Sequence, residues 1–460
     1  MAPKFGTSGL RGLVVELTAD LVADHVRAFL RACPVGTGLY VGRDLRASSP
    51  ALAAVVIEAA RGEGMAVTDC GAVPTPALAL AAVQAGAAAV MVTGSHIPAD
   101  RNGLKFYRPD GEITKADEAA ILSALGQGAG PGAGRLTRRD DVGALWLSRY
   151  VTAFGAAALS GLQIGVWSHS AVSRDLLLQA IAALGGTAVE LGRSDQFIPV
   201  DTEAVPEDLR QQIAAWVRDH RLDALISTDG DGDRPLMADG QGRIVPGDVL
   251  GQITARVVGA DTVVTPVSSN SGVTLGGGFA RVLRTRIGSP YVIAAMADAG
   301  GKVVGYEANG GFLLGFAASM PQGLMPPLLT RDSLLPLIAP LALARQAGGL
   351  AALVAAEPAR FTATDRLEEV PTDRSAALVA DLTQDAARQA AFLAALGEDP
   401  ASTDLTDGLR MITAAGRVVH VRPSGNAPEL RLYAEAETPE RATALLRAGL
   451  VALQAALGPH

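Results

Sequence analysis

Cysteine is nearly missing from this chain: Cys33 and Cys70 are the only two in 460 residues. Two thiols cannot build a framework of bridges, so both are expected as buried free thiols in a reducing compartment. Aromatic residues make up 4%, which favours helix-covered sheets over aromatic-rich recognition surfaces. No basic tract stands out and the net charge is −8, so nucleic acid is not an expected partner. No segment has the apolar core of a signal peptide, because Lys4, Arg11 and Glu16 interrupt the N-terminus. Apolar stretches all fall short of a membrane span. Walker loops, the Rossmann glycine fingerprint, zinc spacings and helix-turn-helix signatures are missing too. His25, His169, His220, His420 and His460 stand isolated and read as surface or core residues. The expectation is a soluble cytoplasmic protein, with no membrane partner.

What is abundant is small and apolar. Hydrophobic residues reach 49% against 19% charged, as in a well-packed globular protein, and 460 residues are too many for one core. One supersecondary pattern recurs three times. The first copy has a strand at Leu39–Val41, a polar loop, a helix over Pro50–Arg61 and a strand at Met65–Val67. The second runs through strand Gln163–Trp167, helix Arg174–Leu184 and strand Ala188–Glu190. The third starts with strand Thr262–Thr265, followed by a helix over Gly272–Val282. Strands alternating with helices at this spacing imply parallel sheets with right-handed crossovers. The glycine run 126–134 reads as a flexible surface loop.

Four domains are expected: 1–140, 141–246 and 247–358, each α/β, and 359–460, which is α+β. The last has a helix near Arg374–Leu396 and strands Val418–Arg422 and Glu429–Glu435. The fold class is therefore three similar α/β domains with mixed, mainly parallel sheets plus a C-terminal α+β domain, arranged around a central cleft.

The most informative stretch is Ser227-Thr-Asp-Gly-Asp-Gly-Asp-Arg-Pro-Leu236. Asp229, Asp231 and Asp233 are separated by single glycines, and three carboxylates so close call for a cation. Oxygen-only ligands suit a hard ion such as Mg²⁺. A calcium hand would need glycine at the sixth position and glutamate at the twelfth; Arg234 and Gly240 stand there. A solvated acidic turn is the bland alternative, and it predicts no partner motifs elsewhere.

Partner motifs exist. Thr93-Gly-Ser-His-Ile-Pro98 follows the apolar strand Ala87–Val92, which puts Ser95 at the carboxyl end of a strand, where α/β sheets hold ligands. It is not the Gly-x-Ser-x-Gly elbow of hydrolases. The adjacent Ser95 and His96 do not make a triad either. Lys105, ten residues on, can exchange protons or offset phosphate charge; a solvated surface lysine is the alternative. Lys4-Phe-Gly-Thr-Ser-Gly-Leu-Arg-Gly12 offers backbone N–H groups and the Arg11 guanidinium to an anion. Gly305-Tyr-Glu-Ala-Asn-Gly-Gly311 places a carboxylate and an amide in a loop suited to sugar hydroxyls, or is an ordinary strand-to-helix turn. Arg422-Pro-Ser-Gly-Asn-Ala-Pro428, with Arg431 beyond it, reads as a phosphate clamp.

Taken in order, these five loops resemble the α-D-phosphohexomutase family along the whole chain from Phe5 to Arg431. The resemblance implies that Ser95 is the phosphorylated serine, with Asp229, Asp231, Asp233 and a phosphoserine oxygen as the Mg²⁺ ligands. Arg11, Lys105 and Arg234 match positions that assist transfer, and His96 joins this candidate catalytic set. Glu307 and Asn309 match residues that read sugar hydroxyls. Arg422, Ser424, Gly425 and Asn426 match the clamp on the distal phosphate, with Arg431 in support. The implied reaction passes a phosphoryl group from Ser95 to a hexose phosphate through a hexose 1,6-bisphosphate, which also serves as activator.

Two of the loops depart from the family pattern. Asn309 stands where serine is usual and Gly311 where histidine is usual; Asn426 and Ala427 replace the threonine and glutamate of the phosphate loop. The Glu-Ala-Asn-Gly-Gly loop is most similar to the bacterial branch acting on mannose phosphates, which leads toward GDP-mannose. Glucose or glucosamine phosphates are the alternative substrates. A metal-dependent phosphatase and a non-catalytic sugar-phosphate binder are the readings from other classes. The chain is expected as a monomer or homodimer.

Overall fold

The computed structural model describes residues 3–6, 9–424 and 428–458. These divide into two compact units. The larger runs to Val263 and takes in Phe279–Arg281 and Gly288–Val354; the smaller comprises Val264–Gly278, Val282–Ile287 and Ala355–His460.

In the larger unit the first sheet has the order Lys4–Phe5, Leu10–Leu13, Arg101–Arg108, Ala88–Val92, Leu39–Arg43, Val67–Ala72, Leu136–Arg138, with Gly111–Glu112 paired to Arg101–Arg108. Leu39–Arg43 lies parallel to both of its neighbours, and Val67–Ala72 is parallel to Leu136–Arg138. Crossover helices Ser49–Gly62 and Thr75–Gln84 supply the connections that parallel pairing requires. Arg101–Arg108 runs antiparallel against Ala88–Val92. Ala88–Val92, the run Ala-Ala-Val-Met-Val, is buried throughout, as expected of a strand covered on both faces. A core including Val26, Phe29, Val56, Val90, Leu104 and Phe106 fills one side of this sheet.

The second sheet repeats the plan. Thr187–Leu191, Gln163–Trp167 and Ala224–Thr228 are parallel, and Pro235–Asp239 and Ile244–Val245 continue it antiparallel. A third set of strands, Val303–Tyr306, Phe312–Leu314 and Leu328–Asp332, pairs antiparallel. The smaller unit holds an antiparallel sheet in the order Phe361–Leu367, Leu430–Ala436, Val418–Pro423, Leu409–Thr413, Pro400–Asp404. Its core brings Val419, Val421, Leu430 and Leu432 together with Leu382, Leu393, Leu445 and Leu453 from its helices. Mixed sheets, α/β in the first parts of the chain and α+β in the last, are thus the observed class.

Several local expectations need correction. The helix expected over Gly272–Val282 spans only Gly272–Leu275, and Arg281–Thr285 is already a strand. Gly277 and Gly278 adopt φ of 64° and 89°, left-handed values that end a helix. The long helix near Arg374–Leu396 is two helices, Thr372–Gln384 and Ala386–Ala395. Asp385 breaks it because its carboxylate caps the second, accepting from the N–H groups of Ala387 and Arg388. The strand expected at Met65 starts at Val67. The glycine run 126–134 is pinned rather than loose: Gly132 and Gly134 donate to Gly62 O and Arg61 O, and Arg61 Nε donates back to Gly134 O. Both cysteines are buried and free. No helix among the described residues is long and apolar enough to cross a membrane.

Candidate active site

Ser95 follows the buried strand Ala88–Val92 and has φ 53°, a left-handed conformation that a non-glycine residue adopts at a cost. Its surroundings hold it there. Thr93 Oγ1 accepts from the Ser95 N–H at 2.8 Å and donates to Asp44 at 2.7 Å. Arg46, 1% exposed, donates to the carbonyls of Ser95, Ile97, Pro98 and Arg101 and pairs with Asp44 at 3.2 Å. Arg46 is not singled out by the sequence, and Thr93 enters there only as the first residue of the serine motif, with no role assigned to it. Arg46 carries no loop signature; only its place after the parallel strand Leu39–Arg43 hints at a role.

The metal loop leaves the sheet between Ala224–Thr228 and Pro235–Asp239, an antiparallel pair whose register closes it as a hairpin. Gly232, at φ 75°, makes the turn, and Asp229 Oδ1 accepts from the N–H groups of Asp233 and Arg234. Asp229, Asp231 and Asp233 are fully buried, and one oxygen from each lies within 4.8 Å of the others. Ser95 Oγ donates to Asp229 Oδ2 at 2.7 Å, joining residues 134 positions apart.

Lys105 lies 3% exposed between two of the carboxylates, its Nζ 2.6 Å from both Asp231 Oδ2 and Asp233 Oδ2. Thr75 Oγ1 donates to Asp231 at 2.5 Å. Burial pushes the Asp231 carboxyl upward, but Lys105 and Thr75 outweigh it and hold the group below its usual range. Burial and the two neighbouring carboxylates instead raise Asp229 well above the usual range. Asp231 Oδ1 and Asp233 Oδ1 are buried without a hydrogen-bond partner among the described residues. Orphaned hard oxygens in a set of this size fit a magnesium-type ion.

Three guanidiniums surround the acids. Arg234 Nη1 donates to His96 Nδ1 at 2.9 Å, and His96 Nδ1 lies 3.4 Å from Ser95 Oγ. Arg234 and burial drive His96 far below the usual imidazole range, so its ring is neutral. Arg331 Nη2 meets Asp233 Oδ2 at 3.0 Å. Burial, with repulsion from Arg234 and Arg331, lowers Arg11 to about 10. Cations crowded enough to oppose one another favour an incoming anion.

Glu307 and Asn309 both lie buried in the 305–311 loop. Glu307 Oε2 is 3.6 Å from Arg331 Nη1 and has no hydrogen-bond partner among the described residues. Asn309 Oδ1 accepts from the Gly311 N–H at 3.0 Å, so that oxygen shapes its own loop. Arg331 and Glu112 joined this set without any sequence motif to announce them.

In the smaller unit, Arg422 and Arg431 are direct partners across the strands Val418–Pro423 and Leu430–Ala436, and Arg366 partners Arg431 on the other side. Direct partners share a sheet face, so three arginines form a row. Arg366 was missed because it lies in a separate strand. Arg422 Nη1 is 3.5 Å from Asp407, Arg431 pairs with Glu429 at 3.1 Å, and the Ser424 N–H donates to Glu429 O. Gly425 and Asn426 lie outside the described residues, as do Thr7, Ser8 and His460.

Fold and site together define the α-D-phosphohexomutase class. Descriptions of the phosphoglucomutase/phosphomannomutase domains match in order: α/β/α domain I at residues 2–129, domain II at 148–242, domain III at 246–361 and the C-terminal domain at 367–451. A phosphomannomutase of Sinorhizobium fredii is 45% identical, covering 99% of this chain and all of that protein. Another, from Salmonella muenchen, is 42% identical over 99% and 96% of the two chains. The solved structure of a phosphoglucomutase/phosphomannomutase family protein from Burkholderia thailandensis is similar in fold, with TM-score 0.79 at 23% identity over 98% and 97% of the chains. The chain belongs to the phosphoglucomutase/phosphomannomutase family.

Proposed function

We propose that this protein interconverts mannose 6-phosphate and mannose 1-phosphate, with Ser95 as the phosphoryl carrier and a hexose 1,6-bisphosphate as intermediate and activator. The observation that carries the reading is the 2.7 Å hydrogen bond from Ser95 Oγ to Asp229, which joins the serine loop to the acidic triad. Relatives that match along nearly their whole length and are named phosphomannomutases support the choice of sugar.

Asp229, Asp231 and Asp233 would hold Mg²⁺, which when bound supplies positive charge against the phosphoryl oxygens. The chain's own groups do the rest. The bond from Ser95 Oγ to phosphorus breaks as the sugar hydroxyl oxygen bonds phosphorus; the hydroxyl gives up its proton, and Ser95 Oγ regains one. Such transfers depend chiefly on positioning and charge. Arg11, Arg234 and Lys105 offset the roughly two negative charges that a phosphoserine carries. Neutral His96 keeps Arg234 oriented beside Ser95. Glu307 and Asn309 receive the sugar hydroxyls, and Arg422, Ser424, Gly425, Asn426 and Arg431 receive the distal phosphate. A clamp that accepts either phosphate lets the bisphosphate turn over and return its other phosphoryl group to Ser95.

The proposal extends to domain boundaries near 140, 246 and 358, a cytoplasmic setting and a monomer or homodimer. Coupled assays with mannose 1-phosphate, glucose 1-phosphate and glucosamine 1-phosphate, primed by the bisphosphate, test the substrate. Intact mass should show one phosphoryl group on Ser95, lost in Ser95→Ala together with turnover. A Ser95→Ala protein that retains full turnover sinks the phosphoserine mechanism.

A further inference from the structure

Arg331 is the penultimate residue of the strand Leu328–Asp332, outside every loop that the sequence marks as chemical. It is 3% exposed. Its Nη2 is 3.0 Å from Asp233 Oδ2, its Nη1 3.6 Å from Glu307 Oε2 and its Nε 3.9 Å from Glu112 Oε1. Glu112 is already served, accepting from Ser289 at 2.7 Å and from Thr330 at 3.4 Å. Glu307 Oε2 accepts no hydrogen bond among the described residues. One planar guanidinium therefore spans the metal loop and the 305–311 loop, which a single-point cation would not do.

The backbone shows why it can lie there. Phe312 pairs antiparallel with Asp332, and the Arg331 stem packs back against Gly311, the residue before that pair. A Cβ at position 311 would fall 2.8 Å from Arg331 Cδ, 2.9 Å from its Cγ and 3.1 Å from Asn309 Oδ1. Any other residue at 311 must displace the arginine stem, the Asn309 turn or both.

We propose that Arg331 is a positioning residue for the sugar: it fixes the direction of the Glu307 carboxylate by tying it to Asp233, and Gly311 provides the space that this requires. The inference rests on the mutase reading, in particular on Glu307 meeting sugar hydroxyls.

The test measures KM and kcat for mannose 1-phosphate, with bisphosphate primer, in wild type, Arg331→Gln, Arg331→Lys, Glu307→Gln, the Arg331→Gln/Glu307→Gln double variant and Gly311→Ala. Arg331→Gln should raise KM about tenfold or more, a larger factor than its loss in kcat. Lysine should not rescue it, and the double variant should cost no more than the worse single one. Gly311→Ala should show the same KM rise with every charge retained. A KM within about twofold of wild type in Arg331→Gln, or full additivity with Glu307→Gln, overturns the inference. If Arg331→Gln does not fold, Gly311→Ala decides, and a KM within about twofold of wild type is then the overturning result. Wild-type turnover with an indifferent Arg331 sinks this inference alone. A wild-type protein with neither turnover nor phosphorylated Ser95 sinks the mutase reading, and this inference with it.

Discussion

Arg46→Met offers the sharpest test of how the serine loop is held. Arg46 is a fully buried cation whose guanidinium donates to four carbonyls between Ser95 and Arg101, pairs with Asp44 and lies 4.0 Å from the centre of the Phe197 ring. Breaking a buried ion pair from one side costs about 3–5 kcal/mol. The lower end applies here, because Asp44 keeps its bonds from Ser49 Oγ at 2.5 Å and Thr93 Oγ1 at 2.7 Å. Losing the contact with Phe197 adds about 1–2 kcal/mol. Water that reaches the freed carbonyls once the loop moves offsets part of their loss, so we expect a local cost of about 4 kcal/mol. A multidomain chain has no single unfolding free energy, so the assay is amide hydrogen exchange over residues 95–104. Protection should fall about a thousandfold, at roughly 1.4 kcal/mol per factor of ten. Phosphorylation of Ser95 by a hexose bisphosphate should fall with it, since φ 53° at Ser95 depends on these bonds. A loss of protection below about tenfold, with normal phosphorylation, would refute the reasoning.

Other outcomes follow from the same structure. Mg²⁺ at a hundredfold excess over its dissociation constant should stabilise the metal loop by about 2.7 kcal/mol, read as slower hydrogen exchange of the Asp233 and Arg234 amides, from which Asp229 accepts; Asp231→Asn should lose that response, and an unchanged response refutes the triad as the site. His420 is buried, its Nε2 2.6 Å from Asp407 O, and burial lowers it to about 4. Its folded value lies below the unfolded value of about 6.5, so the unfolded state takes up the proton first. Stability is therefore lost as pH falls from about 6.5 toward 4, by about 3 kcal/mol for this group. The His420 ring resonances should titrate near pH 4, and a midpoint near the unfolded value contradicts the burial argument. Asp385→Ala should destabilise the helix Ala386–Ala395 by about 1 kcal/mol, read as faster exchange of the Ala387 and Arg388 amides, whose N–H groups Asp385 caps.

Local sequence revealed those parts of the site whose chemistry is consecutive in the chain. Asp229-Gly-Asp-Gly-Asp233 can be read as a cation loop because its carboxylates repel wherever the loop lies. Ser95 can be placed at a strand end because the apolar run before it can only be a buried strand. The strands Leu39–Arg43 and Gln163–Trp167 were legible for the same reason. Helix ends were less so: the one-turn helix Gly272–Leu275 and the break at Asp385 depend on left-handed glycines and a side-chain cap, details that a hydrophobic pattern does not carry.

By itself, then, the sequence determined the alternating α/β plan, the acidic loop and the serine that accompanies it. Tertiary structure alone decided which groups set their charge and direction. Arg46 reaches Ser95 across 49 positions, Lys105 enters the triad across 126, and Arg331 reaches Asp233 from a strand with no motif. A buried charge is specified by whatever the fold brings within a few ångströms of it, not by its neighbours in the chain. The triad therefore announces that a cation is needed, while packing decides which arginines and which lysine stand around it.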